Sequence, residues 1–217
     1  NFPHNPTGHL PSTAEFEALI DIVRRNGAWL LCDEMYRGLE RDPAARLPSA
    51  TDRYERAIAL SGLSKTYGLP GLRTGWLVIH DAAIRHSLIN WKHYTTICAA
   101  APSEQLAIVA LGAREALAGR SRRIIADNLA TAGQFFNRRP QMFDWRPPLA
   151  GSVALVGINV SSATDYCHAL ARDGGVLLLP GTCLGADDHS VRFGFGRASF
   201  PAALAAYEHY LDRVIES

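Results

Sequence analysis

Ser61-Gly-Leu-Ser-Lys-Thr-Tyr-Gly-Leu-Pro-Gly-Leu-Arg-Thr-Gly-Trp76 separates two apolar runs. Arg56-Ala-Ile-Ala-Leu-Ser61 precedes it and Thr74-Gly-Trp-Leu-Val-Ile79 follows, and each is short and apolar enough to be a buried strand. The connection carries Lys65 between Ser64 and Gly68, and Arg73 eight residues beyond the lysine. Such a loop offers an amine on a shaped backbone together with a permanent cation that can clamp an anion. An amine near an anion site suggests a Schiff base. Rival readings fail on spacing. A phosphate-binding P-loop requires G-x-x-x-x-G-K-[ST], but no first glycine fits, and a Ser-x-x-Lys dyad is absent because Gly62 holds the serine position.

Upstream, Ser12-Thr-Ala-Glu15 is a capping box, and Phe16, Leu19, Ile20 and Val23 follow at helical spacing until Gly27. Ala28 to Cys32 is an apolar run that ends abruptly in Asp33-Glu34, as a buried strand ends at a sheet edge. Helices and strands alternate through this half, which predicts an α/β layer with a mainly parallel sheet. Ligands of such sheets bind beyond the carboxyl ends of the strands, so Asp33 and the Ser61–Arg73 loop fall on one rim. Asn1-Phe-Pro-His-Asn-Pro-Thr-Gly8 is turn chemistry, with Gly8 free to take a positive φ. A turn of this kind joins two elements, and only the second follows here.

Downstream, Pro102 to about Asn137 reads as helical, with Gly119-Arg-Ser-Arg-Arg123 as a hinge in its middle. Arg146-Pro-Pro148 opens a new composition. Strands are predicted over Ser152–Ile158, Gly175–Leu179 and Ser190–Phe195, and helices over Thr164–Arg172 and Pro201–Ile215. The expected division is therefore an α/β domain over residues 1–120 and a smaller α+β domain over 121–217.

The 217 residues are 47% hydrophobic and carry a net charge of +1 with the positive residues scattered, which supports a real core and argues against nucleic acid or an anionic membrane as partner. No apolar run approaches the roughly 20 residues of a membrane span, and the first residues do not resemble a signal peptide, so a cytoplasmic location is expected. Cys32, Cys98, Cys167 and Cys183 are far apart and read as small core residues, and no histidine stands at metal-ligand spacing. Of the 22 basic residues only Lys65 and Lys92 are lysines. A preference for arginine codons accounts for the ratio, but a lysine alone among these can lose its proton and act as a nucleophile.

Four motifs, Asn5-Pro-Thr-Gly8, Asp33-Glu-Met-Tyr36, Ser64-Lys65 with Arg73, and Arg192-Phe-Gly-Phe-Gly196, resemble in order and separation those of the fold-type I pyridoxal-phosphate enzymes of the class I/II aminotransferase group. The resemblance covers essentially the whole chain. It implies the three-layer PLP-dependent transferase fold, with residues 1–120 as the C-terminal part of the cofactor-binding large domain and 121–217 as the small C-terminal domain. In the family Asn-Pro-x-Gly lies near mid-chain, so the sequence is expected to be the C-terminal part of a longer protein.

The resemblance also implies roles. Lys65 would form the Schiff base with pyridoxal 5'-phosphate and move the substrate α-proton. Asp33 would pair with the pyridine nitrogen, while Tyr36 and Asn5 would donate to the phenolic oxygen. Ser64 and Arg73 would bind the phosphate, with Ser61 as an alternative where some relatives carry a hydroxyl at the Gly62 position. Arg192 would fork onto the substrate carboxylate beside Asn5, with Arg197 its nearest competitor. The implied partners are an amino acid, a 2-oxo acid and a second copy of the chain in a homodimer.

Two other functions stay open at the level of sequence. Asn1–Pro6 and Gly68–Arg73 are similar to cyclising, capreomycidine-synthase-like members of the group, which keeps a PLP-dependent lyase or cyclase in view. The aminotransferase-like sensor domain of a transcription regulator is the other. The run His93-Tyr-Thr-Thr96 stands where it could line an entrance or pack in a core, and the Ala150-Gly-Ser152 turn is placed near substrate by analogy.

Overall fold

A computed structural model describes residues 1–215. The capping box is made as the sequence predicts. Ser12 Oγ accepts from the Glu15 amide at 3.2 Å, Glu15 Oε2 accepts from the Ser12 amide at 2.8 Å, and helix α1 runs Thr13–Arg25 with Phe16 and Ile20 buried. Gly27, at φ 60°, turns the chain into strand β1, Leu30–Asp33.

β1 pairs in parallel with β2, Ala57–Gly62, bringing Asp33 opposite Leu60. β2 pairs antiparallel with β3, Gly75–Ile79. The sheet of order β1-β2-β3 is thus mixed where a mainly parallel one was expected. The reason is the connection. A parallel return needs a crossover, usually a helix, whereas Leu63–Thr74 holds only the short turn Pro70–Leu72 and doubles back. At the start of that loop Gly62 faces Gly75 across the ladder, and a Cβ on Gly62 would sit 2.9 Å from Thr74 O and 3.0 Å from Gly75 Cα.

Three helices follow: α2 (Ala82–Thr95), α3 (Ala101–Gly112) and α4 (Arg114–Asn137). Asp81 caps α2 by accepting from the Ile84 amide at 2.8 Å. Helix α4 runs unbroken through the predicted hinge at Gly119–Arg123, and the boundary between the chain's two compact units falls inside that stretch, between Ser121 and Arg122. A lone glycine flanked by good helix formers lowers helix stability by only about 1 kcal/mol and does not end it.

Contacts divide the chain into two compact units, one of residues 1–4, 9–121 and 149–151, the other of 5–8, 122–148 and 152–217. The division is not contiguous in sequence, since two short segments cross over. In the first unit Leu10, Phe16, Ile20, Cys32, Leu47, Ala50, Tyr54, Ala57 and Ala150 form one core, and Leu63, Ala107 and Ala110 a second.

The second unit is built on an antiparallel sheet of order β4-β5-β7-β6, from Phe143–Asp144, Val153–Ile158, Leu179–Pro180 and Ser190–Gly194, with helices α5 (Ala163–Gly174) and α6 (Phe200–Ile215). The strand predicted over Gly175–Leu179 shrinks to two residues, because Gly175, at φ 66°, is the C-cap of α5. Phe136 lies at the centre of an aromatic core, with its ring 4.5 Å from Trp145, 5.1 Å from Phe135 and Phe143, and 5.0 Å from Phe193.

The four cysteines split. Cys32 and Cys167 are buried, and burial pushes each thiol up to about 11. Cys98 and Cys183 are exposed, against the expectation of four core residues, because Cys98 lies in the bend after α2 and Cys183 on the outer side of the short 3-10 helix Gly181–Leu184. Among the described residues no group of His, Cys, Asp and Glu could hold a metal ion, and no helix is long and apolar enough to cross a membrane.

Candidate active site

In the first unit, the carboxyl ends of β1 and β2 carry the candidate residues Asp33, Tyr36 and Lys65. Asp33 closes β1, and its Oδ1 accepts from the Met35 amide at 2.9 Å, which starts a tight turn through Tyr36. Tyr36 is buried, and Lys65, on the loop leaving β2, brings its Nζ to 5.8 Å from the centroid of the Tyr36 ring. Gly151, at φ 79°, brings its backbone close to the same residue, where a Cβ would sit 3.5 Å from Tyr36 Cδ1.

Ser61, near the end of β2, and Ser64, on the loop that follows, are half-buried, and Lys65 is exposed. The Cβ clash at position 62 explains why a hydroxyl-bearing residue is absent there. Arg73 ends the loop in left-handed backbone, φ 52° and ψ 33°, with its Nη1 donating to Pro70 O at 2.9 Å. A non-glycine residue in that region costs on the order of 1 kcal/mol or more and is concentrated at functional sites.

The sequence reading missed the residues that hold this turn. Glu34 is buried, and its Oε1 accepts from Ser49 Oγ and the Ala50 amide, both at 2.8 Å. Glu40 is also buried, accepting from the Gly38 amide at 2.9 Å and from Arg46 Nε at 3.0 Å. Buried carboxylates are rarely tolerated unless bonded in this way. Thr66, beside the lysine, donates to Arg37 O at 2.8 Å and lies 3.2 Å from Met35 O. The only sequence signal for any of these was the adjacency of Glu34 to Asp33 and of Thr66 to Lys65.

In the second unit, Asn5 and Arg192 meet despite their 187-residue separation, with Arg192 Nη1 donating to Asn5 Oδ1 at 3.1 Å. Arg192 stands in the middle of β7, paired with Leu155 of β5 and Leu179 of β6. The Asn5 turn is held at Gly8, at φ 70°, where a Cβ would fall 2.2 Å from Pro148 Cβ. Arg197 lies beyond the strand and is exposed. Its carbonyl, with that of Phe195, accepts from the buried Asn128 Nδ2, each at 2.8 Å.

The sequence profile of the family described as aminotransferase class I and II matches residues 1–214. The chain belongs to that family. It is 30% identical over 214 residues to capreomycidine synthase of Streptomyces vinaceus, covering 97% of this chain and 54% of that protein. Aspartate aminotransferase of Thermococcus kodakarensis is 25% identical over 217 residues, covering 100% of this chain and 57% of its own. Among solved structures, a PLP-dependent aminotransferase from Streptococcus suis superposes with a TM-score of 0.88 at 32% identity, over 97% of this chain and 55% of that one. The chain therefore spans about half the length of the relatives it matches, and its fold is that of the class I/II aminotransferases.

The run His93–Thr96 closes helix α2 rather than packing in a core, and Tyr94 is 92% exposed.

Proposed function

We propose that the protein is a pyridoxal-phosphate-dependent aminotransferase that moves an amino group between an L-amino acid and a 2-oxo acid, with Lys65 as the residue that bonds the cofactor. The observation that carries the reading is the Lys65 amine above the Tyr36 ring, on the loop that leaves the strand paired with the one Asp33 ends, in a chain of this family. The donor set fits the cofactor's chemistry: an amine for the aldehyde, a carboxylate for the pyridine nitrogen, a phenol for the ring oxygen, and hydroxyls with a guanidinium for the phosphate. Bound there, pyridoxal phosphate would supply an electron sink for charge left on the substrate α-carbon.

The chain's own groups would do the rest. Asp33 would hold a proton on the ring nitrogen, with its orientation fixed by the Met35 amide. Tyr36 would donate to the ring oxygen. Ser64, Ser61 and Arg73 would hold the phosphate, and the freed Lys65 amine would take and return the α-proton. The Arg192–Asn5 bond engages the carbonyl end of Asn5 and leaves its Nδ2 to donate. Arg192 keeps the rest of its planar fork for a carboxylate. A homodimer of cytoplasmic location, at work in amino-acid biosynthesis, completes the reading; these three rest on the resemblance alone, and sedimentation of the purified gene product tests the first.

A second reading has its own support. The 30% identity to capreomycidine synthase favours a cyclising or eliminating reaction on the same scaffold. Whole gene product loaded with pyridoxal phosphate and given single amino acids without a 2-oxo acid separates the two. Stoichiometric conversion to pyridoxamine phosphate and a keto acid is expected. Release of ammonia or a ring-closed product with the cofactor unchanged would replace the first reading with the second.

A further inference from the structure

The residue that follows the lysine is a buried threonine whose hydroxyl has been drawn away from its own loop. Thr66 is 4% exposed, and its Oγ1 reaches the carbonyls of Met35 and Arg37, the two residues that flank Tyr36. A hydroxyl has one proton to donate, so the shorter contact, to Arg37 O at 2.8 Å, is its main bond and the 3.2 Å contact to Met35 O shares it. The approach is close. A Cβ on Gly38 would stand 3.0 Å from Thr66 Cγ2, and Gly38 itself takes φ +97°. The Tyr36 turn is thus tied at both ends to the residue next to Lys65.

We propose that Thr66 is a positioning residue that fixes the Tyr36 hydroxyl relative to the Lys65 amine, and through Tyr36 sets the proton affinity of the lysine nitrogen once the cofactor is attached. This rests on the reading of Lys65 as the cofactor-bonding lysine. The physical link runs through charge. With the cofactor bound, Tyr36 would donate to its ring oxygen, which carries more negative charge when the neighbouring nitrogen has lost its proton. A well-placed donor therefore favours the deprotonated form, and a displaced donor lets the nitrogen hold its proton to higher pH. Replacing the Thr66 hydroxyl by a methyl group leaves two carbonyls without their donor and frees the turn that aims Tyr36.

The test uses the whole gene product loaded with pyridoxal phosphate. Its visible absorbance is titrated against pH for the wild type, Thr66→Val, Thr66→Ser, Tyr36→Phe and the double variant. Expected is a rise in proton affinity of about three- to tenfold for Thr66→Val, in the direction of a larger rise for Tyr36→Phe. Thr66→Ser should return to the wild-type titration, and Thr66→Val should add nothing in the Tyr36→Phe background. A loss of thermal stability with an unchanged titration would show a merely structural threonine and overturn the proposal, as would an additive shift in the double variant. Borohydride reduction and peptide mapping of the wild type are run alongside. A label on a residue other than Lys65 overturns the functional reading itself, whereas a label on Lys65 with no Thr66 effect overturns only the role of Thr66.

Discussion

The two units of the chain are held together in different ways. The second has a core of interlocking rings, Phe135, Phe136, Phe143, Trp145, Phe193 and Tyr207, around an antiparallel sheet whose inward residues Val156, Ile158 and Val191 are buried. The first encloses two separate clusters, with Phe16 and Tyr54 the aromatic members among their buried residues, and leaves Leu31, Leu77, Trp91, Ile108 and Val109 exposed. Yet the first unit carries the lysine, the aspartate and the tyrosine. The proposed cofactor residues stand on a three-stranded sheet that hides only part of its apolar surface, and the second unit holds the Arg192–Asn5 pair in better-packed surroundings. Stability and reactivity have been distributed unequally.

The largest expected effect lies on the reactive side of that contrast. Lys65→Ala should abolish covalent trapping of the cofactor by borohydride and lower turnover by at least about 10³-fold, while leaving the denaturation midpoint near wild type. Retained trapping would move the reactive amine elsewhere. On the packed side, Phe136→Ala should destabilise by about 3–5 kcal/mol in urea titrations, because it empties the centre of the ring cluster. A cost under about 1 kcal/mol would mean that the aromatic core is not what sustains the second unit.

Arg192→Ala tests the packed unit for the proposed substrate role. It should raise KM about ten- to a hundredfold for every amino acid tried, and Arg197→Ala should not. The reverse pattern would make Arg197 the carboxylate fork. The smallest effect is expected for Leu31→Ala, where the side chain is 65% exposed and truncation should change stability by less than about 0.5 kcal/mol. A cost of about 2 kcal/mol or more in the whole gene product would show that this face is covered there, which would narrow the contrast between the units.

What the sequence disclosed was whatever is local. The Ser12–Glu15 capping box, the apolar runs of β1, β2 and β3, and the glycine at position 8 follow from short-range sterics and hydrogen bonding, and each stands where it was expected. The direction of β3 was not legible, because periodicity carries no information about which way a strand runs. Helix α2 escaped notice since its face is only weakly patterned, with no residue buried. Within the candidate site, Lys65 and Arg192 stood out through their motifs, but Glu34, Glu40, Thr66 and Asn128 did not. Their roles come from partners 2 to 69 residues away, and nothing in a single chain of letters marks a carboxylate as bonded to a distant amide.

The facing glycines at 62 and 75 bear on how this loop can be exchanged between proteins. With neither position able to accept a Cβ without moving backbone, residues 62–75 behave as a cassette whose two ends must be inherited together. A chimera that imports the lysine loop of a relative bearing a side chain at either end must bring the matching opposite strand with it, so the crossover points of a productive recombinant lie outside β2 and β3.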